Sequence, residues 1–247
     1  MDCMKDWTFP TTRIADVVKF RPASLELFYG LGCNPWIQGE KSLEWLGVRN
    51  GISTERILRQ LEEMPVSGAD TPWEERPVYF LIDFLTAQHR EFIYSDLPAF
   101  RTLLEMPAGR ISGTHLYRLR WESLHRISTV LSRHIQEEED GYFPAILKNE
   151  YVLHHGGFGR VRPMADELLA SDQLIEGEDE MSLALDQWLQ SARQGGQHYV
   201  DPAHPDMAVD AMRNLSRKIL AHEKTEQERL YPMAARIELE LGGMAVA

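Results

Sequence analysis

Two short segments carry residue types that can do chemistry, and they match each other. His134 and Glu138 stand four residues apart and are followed by Tyr142-Phe143-Pro144. His222 and Glu226 keep that spacing and are followed by Leu230-Tyr231-Pro232. The His, the Glu, the aromatic residue and the Pro all recur at an offset of 88 positions. On a helix, positions four apart differ by about 40° in rotation and about 6 Å in rise. Each His-Glu pair therefore points one way, as two ligands of one site would. Carboxylates can bridge two cations, and imidazole nitrogen suits iron or manganese.

The elements that must position these residues follow from apolar periodicity. Upstream of the motifs, Leu124, Ile127 and Leu131 correspond to Met212, Leu215 and Ile219, so one helical unit looks duplicated. A helix A is predicted over 77–95, where Val78, Leu81, Ile82, Leu85, Phe92 and Ile93 form a stripe with His89 inside it. It continues over 97–104 beyond a bend at Pro98. Helix B starts near 114 and carries the first copy, with Pro144 near its end. Helix C covers 174–192, with Leu174, Met181, Leu185, Trp188 and Leu189 inward and Glu178 in the same stripe. Helix D carries the second copy. The repeat offset maps His89 to position 177, one residue from Glu178. Strand-like alternation is essentially absent, so the expected fold is all-α, an antiparallel up-down four-helix bundle.

The bundle interior would then hold His89, His134, Glu138, Glu178, His222 and Glu226, which are the candidate metal ligands. Burying three carboxylates and three imidazoles without compensation is very unfavourable, and a pair of cations supplies it. Any single H-x-x-x-E on an amphipathic helix is most often a solvated pair, and a lone buried His is most often a satisfied core residue. Joint occurrence is what points to a metal. The donor atoms of His89, His134, Glu138, His222 and Glu226 should fall inside a sphere of about 5 Å radius, because paired metals sit roughly 3.5–4 Å apart. His125 lies on the opposite face from His134. His154, His155, His198 and His204 fall in expected loops and are not assigned as ligands.

Bulk properties narrow the partners. A net charge of −12 and a pI near 5.2 argue against nucleic acid or an anionic membrane surface. No apolar run approaches a membrane span, and residues 1–10 have no signal-peptide core, so a cytoplasmic, soluble protein is expected. The two cysteines, Cys3 and Cys33, make no disulfide framework, and no bond between them is expected. Residues 1–65 read as a small helical module. Thr12 is placed to cap its first helix, Pro22 to open a second, and Ser53 to cap another. A linker is expected over 66–73, a turn over 106–113, loops over 153–159 and 195–205, and a short helix over 163–169. The bundle would occupy 74–247.

The ligand order and the aromatic-Pro that follows each H-x-x-x-E resemble the hemerythrin-like bundle. The stretch from Thr12 to Met233 resembles the bacterial di-iron proteins that repair iron–sulfur clusters under nitrosative or oxidative stress. Ala15-Asp16-Val17-Val18, Pro22-Ala23-Ser24, Leu27-Phe28 and Gly32 are similar to that family's short N-terminal domain. The resemblance implies two non-haem iron ions, one held by His89 and His134 and the other by His222 and residue 178, with Glu138 and Glu226 bridging. Three departures stand out. Glu178 occupies the place of a fourth His, a harder donor that would accept manganese as well as iron in that position. Trp36-Ile37 stands where the family carries a Cys-Cys pair, and residues 149–173 lengthen the usual connection. The implied function is a stress-response protein acting on oxygen or nitric oxide, or on damaged iron–sulfur proteins, with a homodimer allowed. Two other readings compete: a metal-depleted bundle serving as a binding or regulatory module, and a di-iron sensor of oxygen or nitric oxide. Whether the protein is an enzyme stays open.

Overall fold

The computed structural model describes residues 9–64, 73, 76–105, 115–156, 183–188, 190 and 207–244. Glu178, Cys3, the turn at 106–113, the short helix at 163–169 and the loop at 195–205 lie outside them, as does most of helix C. Among the described residues the chain is all-helical; an isolated antiparallel bridge, Arg13 with Ser42, is the nearest approach to a strand. No helix among them is long and apolar enough to cross a membrane. Contacts divide the chain into two compact units. One comprises Met1–Ala87, Glu139–Met164 and Arg229–Ala247; the other comprises Gln88–Glu138 and Ala165–Glu228.

The first unit opens with five short helices: α1 (Ile14–Phe20), α2 (Ser24–Gly30), α3 (Pro35–Gln38), α4 (Leu43–Asn50) and α5 (Thr54–Glu63). Three of them start where a side chain accepts an N–H that the first turn leaves unpaired. Asn34 accepts from Trp36 N–H at 3.0 Å, Ser42 from Trp45 N–H at 3.2 Å, and Ser53 from Arg56 N–H at 3.3 Å. The expected Ser53 cap is therefore present. Thr12 does not cap α1; its hydroxyl accepts from Phe9 N–H at 3.2 Å and closes the preceding turn. Pro22 sits in a turn, with α2 starting two residues later. Ile14, Val17, Leu25, Phe28, Leu43, Leu46, Ile57 and Leu61 are fully buried. Trp73, at the end of the expected linker, is also buried, its ring centroid 5.5 Å from that of Phe84.

Three further helical segments complete this unit: the early part of α6 (Val78–Glu91), α9 (Phe143–His155) and α11 (Tyr231–Met244), with α9 packed on α11. Glu150 on α9 accepts from Val78 N–H at 2.5 Å, so a buried carboxylate caps the start of α6. Contrary to the expected loop, α9 takes in His154 and His155 and stops only at Gly156, whose φ of +68° suits glycine.

The second unit contains the end of α6, α7 (Leu97–Glu105), α8 (His115–Glu137), a helical stretch at 183–188 and α10 (Met207–Thr225). The repeat-related residues Leu124, Ile127, Leu131, Met212, Leu215 and Ile219 meet in one apolar cluster with Phe92, Phe100, Leu185 and Trp188. Each such side chain contributes roughly 1.5–3 kcal/mol by leaving water. Phe100 meets Trp188 edge-on at 5.3 Å, and the Arg120 guanidinium lies over the Trp188 ring at 5.4 Å.

Three π-helical turns interrupt the long helices, at Phe92–Asp96, Glu138–Tyr142 and Glu226–Leu230. Each is followed two residues later by proline: Pro98, Pro144 and Pro232. A proline has no N–H for the carbonyl four residues back, and its ring clashes with that carbonyl. A widened turn relieves both problems while keeping the helix going. Helix continues past Pro98, as expected, and the expected helix end at Pro144 is replaced by continuous helix to His155, each with a wide turn just upstream.

Candidate metal centre

The two H-x-x-x-E pairs sit at the ends of α8 and α10, with each Glu opening a π turn. His89 comes from the last turn of α6. All five side chains lie in the second unit and are buried, with exposures of 5 % for His134 and 1 % or less for the others.

One donor atom each from His89, Glu138, His222 and Glu226 lies within 4.8 Å of the others. His89 Nε2 is 3.0 Å from Glu138 Oε2 and 3.1 Å from His222 Nε2. His222 Nε2 is 2.8 Å from Glu226 Oε1 and 4.0 Å from Glu138 Oε2. The remaining carboxylate oxygens face His134, whose Nε2 is 3.5 Å from Glu138 Oε1 and 3.7 Å from Glu226 Oε2. Each carboxylate thus presents one oxygen to the His89/His222 end and the other to the His134 end. Four of the expected donors thus come together, with His134 facing the two carboxylates. The expected pairing of His89 with His134 on one metal is not what these distances give: His89 shares its end with His222.

Among these close approaches, the one between His89 Nε2 and His222 Nε2 is a hydrogen bond. His134 Nε2, Glu138 Oε2 and both oxygens of Glu226 are buried without a hydrogen-bond partner. An orphaned buried acceptor costs about 1–3 kcal/mol, more when charged. Two donors each about 2.1 Å from one cation, at right angles around it, lie about 3 Å apart. The contacts of 2.8, 3.0 and 3.1 Å match that spacing. The residues present could hold a metal ion.

No family model matches the chain, and no curated protein matches it. The assignment of chemistry rests on the donors themselves.

Electrostatics agree with the geometry. Burial pushes the Glu138 carboxyl above its usual range, reinforced by the facing Glu226 and opposed by His134 and His89. At Glu226 burial acts the same way, but the His222 and His134 imidazoles outweigh it and hold that carboxyl well below the usual range. Burial disfavours the charged His134 ring, yet Glu138, Glu226 and Glu223 push it up to about 10. The site draws positive charge. Glu223, buried on α10, is a member of this electrostatic set that the spacing of ligands does not reveal. Two neighbours of His222 also escape a sequence reading. Gln88 lies with Oε1 2.8 Å from His222 Nδ1, and Phe92 meets the ring edge-on at 5.6 Å. Gln88's sole sequence signal is adjacency to His89, and that of Phe92 is membership of the same apolar stripe.

Proposed function

We propose that this chain is a hemerythrin-like four-helix bundle holding two non-haem metal ions, iron by preference, and that it acts in stress response on nitric oxide or oxygen. The observation that carries this reading is the set of buried, unbonded lone pairs on Glu138, Glu226 and His134, directed at one another over about 3–4 Å, as donors to paired cations are. His89 and His222 would hold one ion and His134 the other, with Glu138 and Glu226 bridging. Glu178 is the residue of helix C proposed to join them. Two irons would supply reversible electron exchange and open coordination positions for a diatomic ligand. The chain's own part is to supply five buried donors in fixed places. Iron supply to damaged clusters is a second outlet of the same centre. The resembled family's thiol pair is replaced by Trp36-Ile37, so any such transfer would proceed without a dithiol at that place.

The test is metal analysis and an optical spectrum of protein purified without oxygen, followed by titration with nitric oxide. About two irons per chain and a spectrum that changes on addition of nitric oxide are expected. Protein that takes up neither iron nor manganese, even on reconstitution, overturns the reading.

A further inference from the structure

The first unit contains a cavity of about 280 Å3, built from three local patterns. Asn34 accepts from Trp36 N–H at 3.0 Å and Pro35 opens α3, which sets the turn that carries the Trp36 indole. Phe143 and Leu147, four apart on α9, share one face and are buried. Val18 joins them from α1, where Asp16 and Lys19 stand three apart. A dry apolar cavity of roughly 150 Å3 holds one benzene, so this one has room for a bicyclic ring with a short side chain.

Its polar lining consists mostly of acceptors. Asp16, Glu139 and Asp140 bring carboxylates. Thr86, buried on α6, donates its hydroxyl hydrogen to the Ile82 carbonyl at 2.8 Å, so lone pairs are what it has left to offer. Lys19, the one ammonium among the described lining residues, donates to Asp140. Arg13, outside the lining, divides its guanidinium between Asp16 and Glu40.

We propose that this cavity binds a small organic cation, a primary amine on a bicyclic apolar body, through the juxtaposition of the Trp36, Phe143 and Leu147 wall with the carboxylates of Asp16, Glu139 and Asp140. The apolar body leaves water between Val18, Trp36, Phe143 and Leu147. Its ammonium donates to the carboxylates and gains from a nearby indole, the ring that attracts cations best. An anion would meet three carboxylates and one ammonium already engaged. The chain's net charge of −12 also draws cations towards it and keeps anions away. All lining residues belong to the first unit, so the site stands whether or not the second unit holds metal.

The experiment titrates the full chain by calorimetry with three compounds that share an indole body. Tryptamine is a cation, tryptophol is neutral and indole-3-acetate is an anion. Tryptamine should bind about 5-fold tighter than tryptophol and indole-3-acetate weakest, with the spread narrowing as salt rises. Asp140→Asn removes one carboxylate and frees Lys19, so it should weaken tryptamine and strengthen indole-3-acetate. Lys19→Met keeps the apolar stem and should strengthen tryptamine instead. Both side chains are exposed, so neither change puts folding at risk. Trp36→Leu should weaken all three compounds, which places them in this cavity. Tryptamine that binds no tighter than tryptophol, or that is unmoved by Trp36→Leu, overturns the proposal. A wild type that binds none of the three overturns it as well.

Discussion

Glu138 and Glu226 differ from the three imidazoles in offering two donors each, one to either end of the site. On the two-metal proposal, loss of either carboxylate should therefore disturb both metal positions, whereas loss of a histidine should disturb one. Glu138→Ala and Glu226→Ala are expected to abolish metal retention. His134→Ala, and separately His222→Ala, should retain about half of the wild-type metal, the remaining ion still having imidazole and both bridges. Glu178 enters here as a proposal carried by its place in the stripe of helix C. With His89 and His222 sharing one end, Glu178 is proposed to pair with His134 instead of the expected His222. Glu178→Ala should then match His134→Ala, and the double variant should lose no more than either alone. Elemental analysis of the variants after identical reconstitution tests the scheme. Half-occupancy in Glu226→Ala would refute bridging, and a full complement in Glu178→Ala would remove that residue from the site.

At the scale of elements, the π turns are the feature that connects sequence to ligand placement. Two of the three begin at a site carboxylate, and all three precede a proline. Proline in a helix interior is unfavourable by about 3 kcal/mol relative to alanine. Pro232→Ala or Pro144→Ala should therefore raise or leave unchanged the melting temperature of metal-free protein. Both should lower metal retention, because an ordinary α turn would rotate Glu226 or Glu138 relative to its histidine. Pro98→Ala is the control, since its π turn holds none of the five donors; equal metal loss in all three variants would refute the link. The aromatic-Pro that follows each H-x-x-x-E is visible in the sequence, and so are the apolar register and the five candidate donors. The wide turns are not visible, because proline reads equally as a kink or a stop until tertiary packing decides that the helix continues. The caps from Asn34 and Ser42 were equally open to a sequence reading, whereas Thr12 shows that a capping residue type can be taken by the preceding turn instead. A second element-scale prediction concerns Glu150, which caps α6. Burial pushes its carboxyl up to about 7, with the N–H groups of Val78 and Tyr79 opposing that rise. From its ordinary value of 4.5 to about 7 the folded chain holds the proton more tightly than the unfolded one. This contribution is therefore full below 4.5 and is lost as pH rises to 7, by at most about 3 kcal/mol. Glu150→Gln keeps an acceptor for Val78 and should flatten that part of the profile. The measurement is denaturant unfolding of both proteins at pH 5 and pH 8, and an unchanged wild-type-minus-variant difference would count against it.

For the whole molecule, the division into two compact units assigns the candidate metal donors and the Trp188 cluster to one unit and the five short helices to the other. Within the second unit, the ends of α8 and α10 and the first residue of the π turn after each hold four of the five donors, so their charged interior depends on what neutralises it. A ligand that binds only the folded state stabilises it by about 4 kcal/mol at a thousandfold excess over its dissociation constant. That stabilisation falls on the segments whose opening would release the metal. Removing metal with a chelator should therefore speed amide exchange in 120–138 and 210–228, where opening exposes buried carboxylates and imidazoles. The helices α1, α2, α4 and α5 should keep their protection, because their cores of Leu25, Phe28, Leu46 and Ile57 contain no ligand. Hydrogen exchange followed by mass spectrometry, with and without chelator, separates the possibilities. Loss of protection spread evenly over both units would mean that metal serves the chain's global stability rather than one site. No change anywhere, in protein shown to have lost its metal, would mean that the buried carboxylates and imidazoles neutralise one another without a cation.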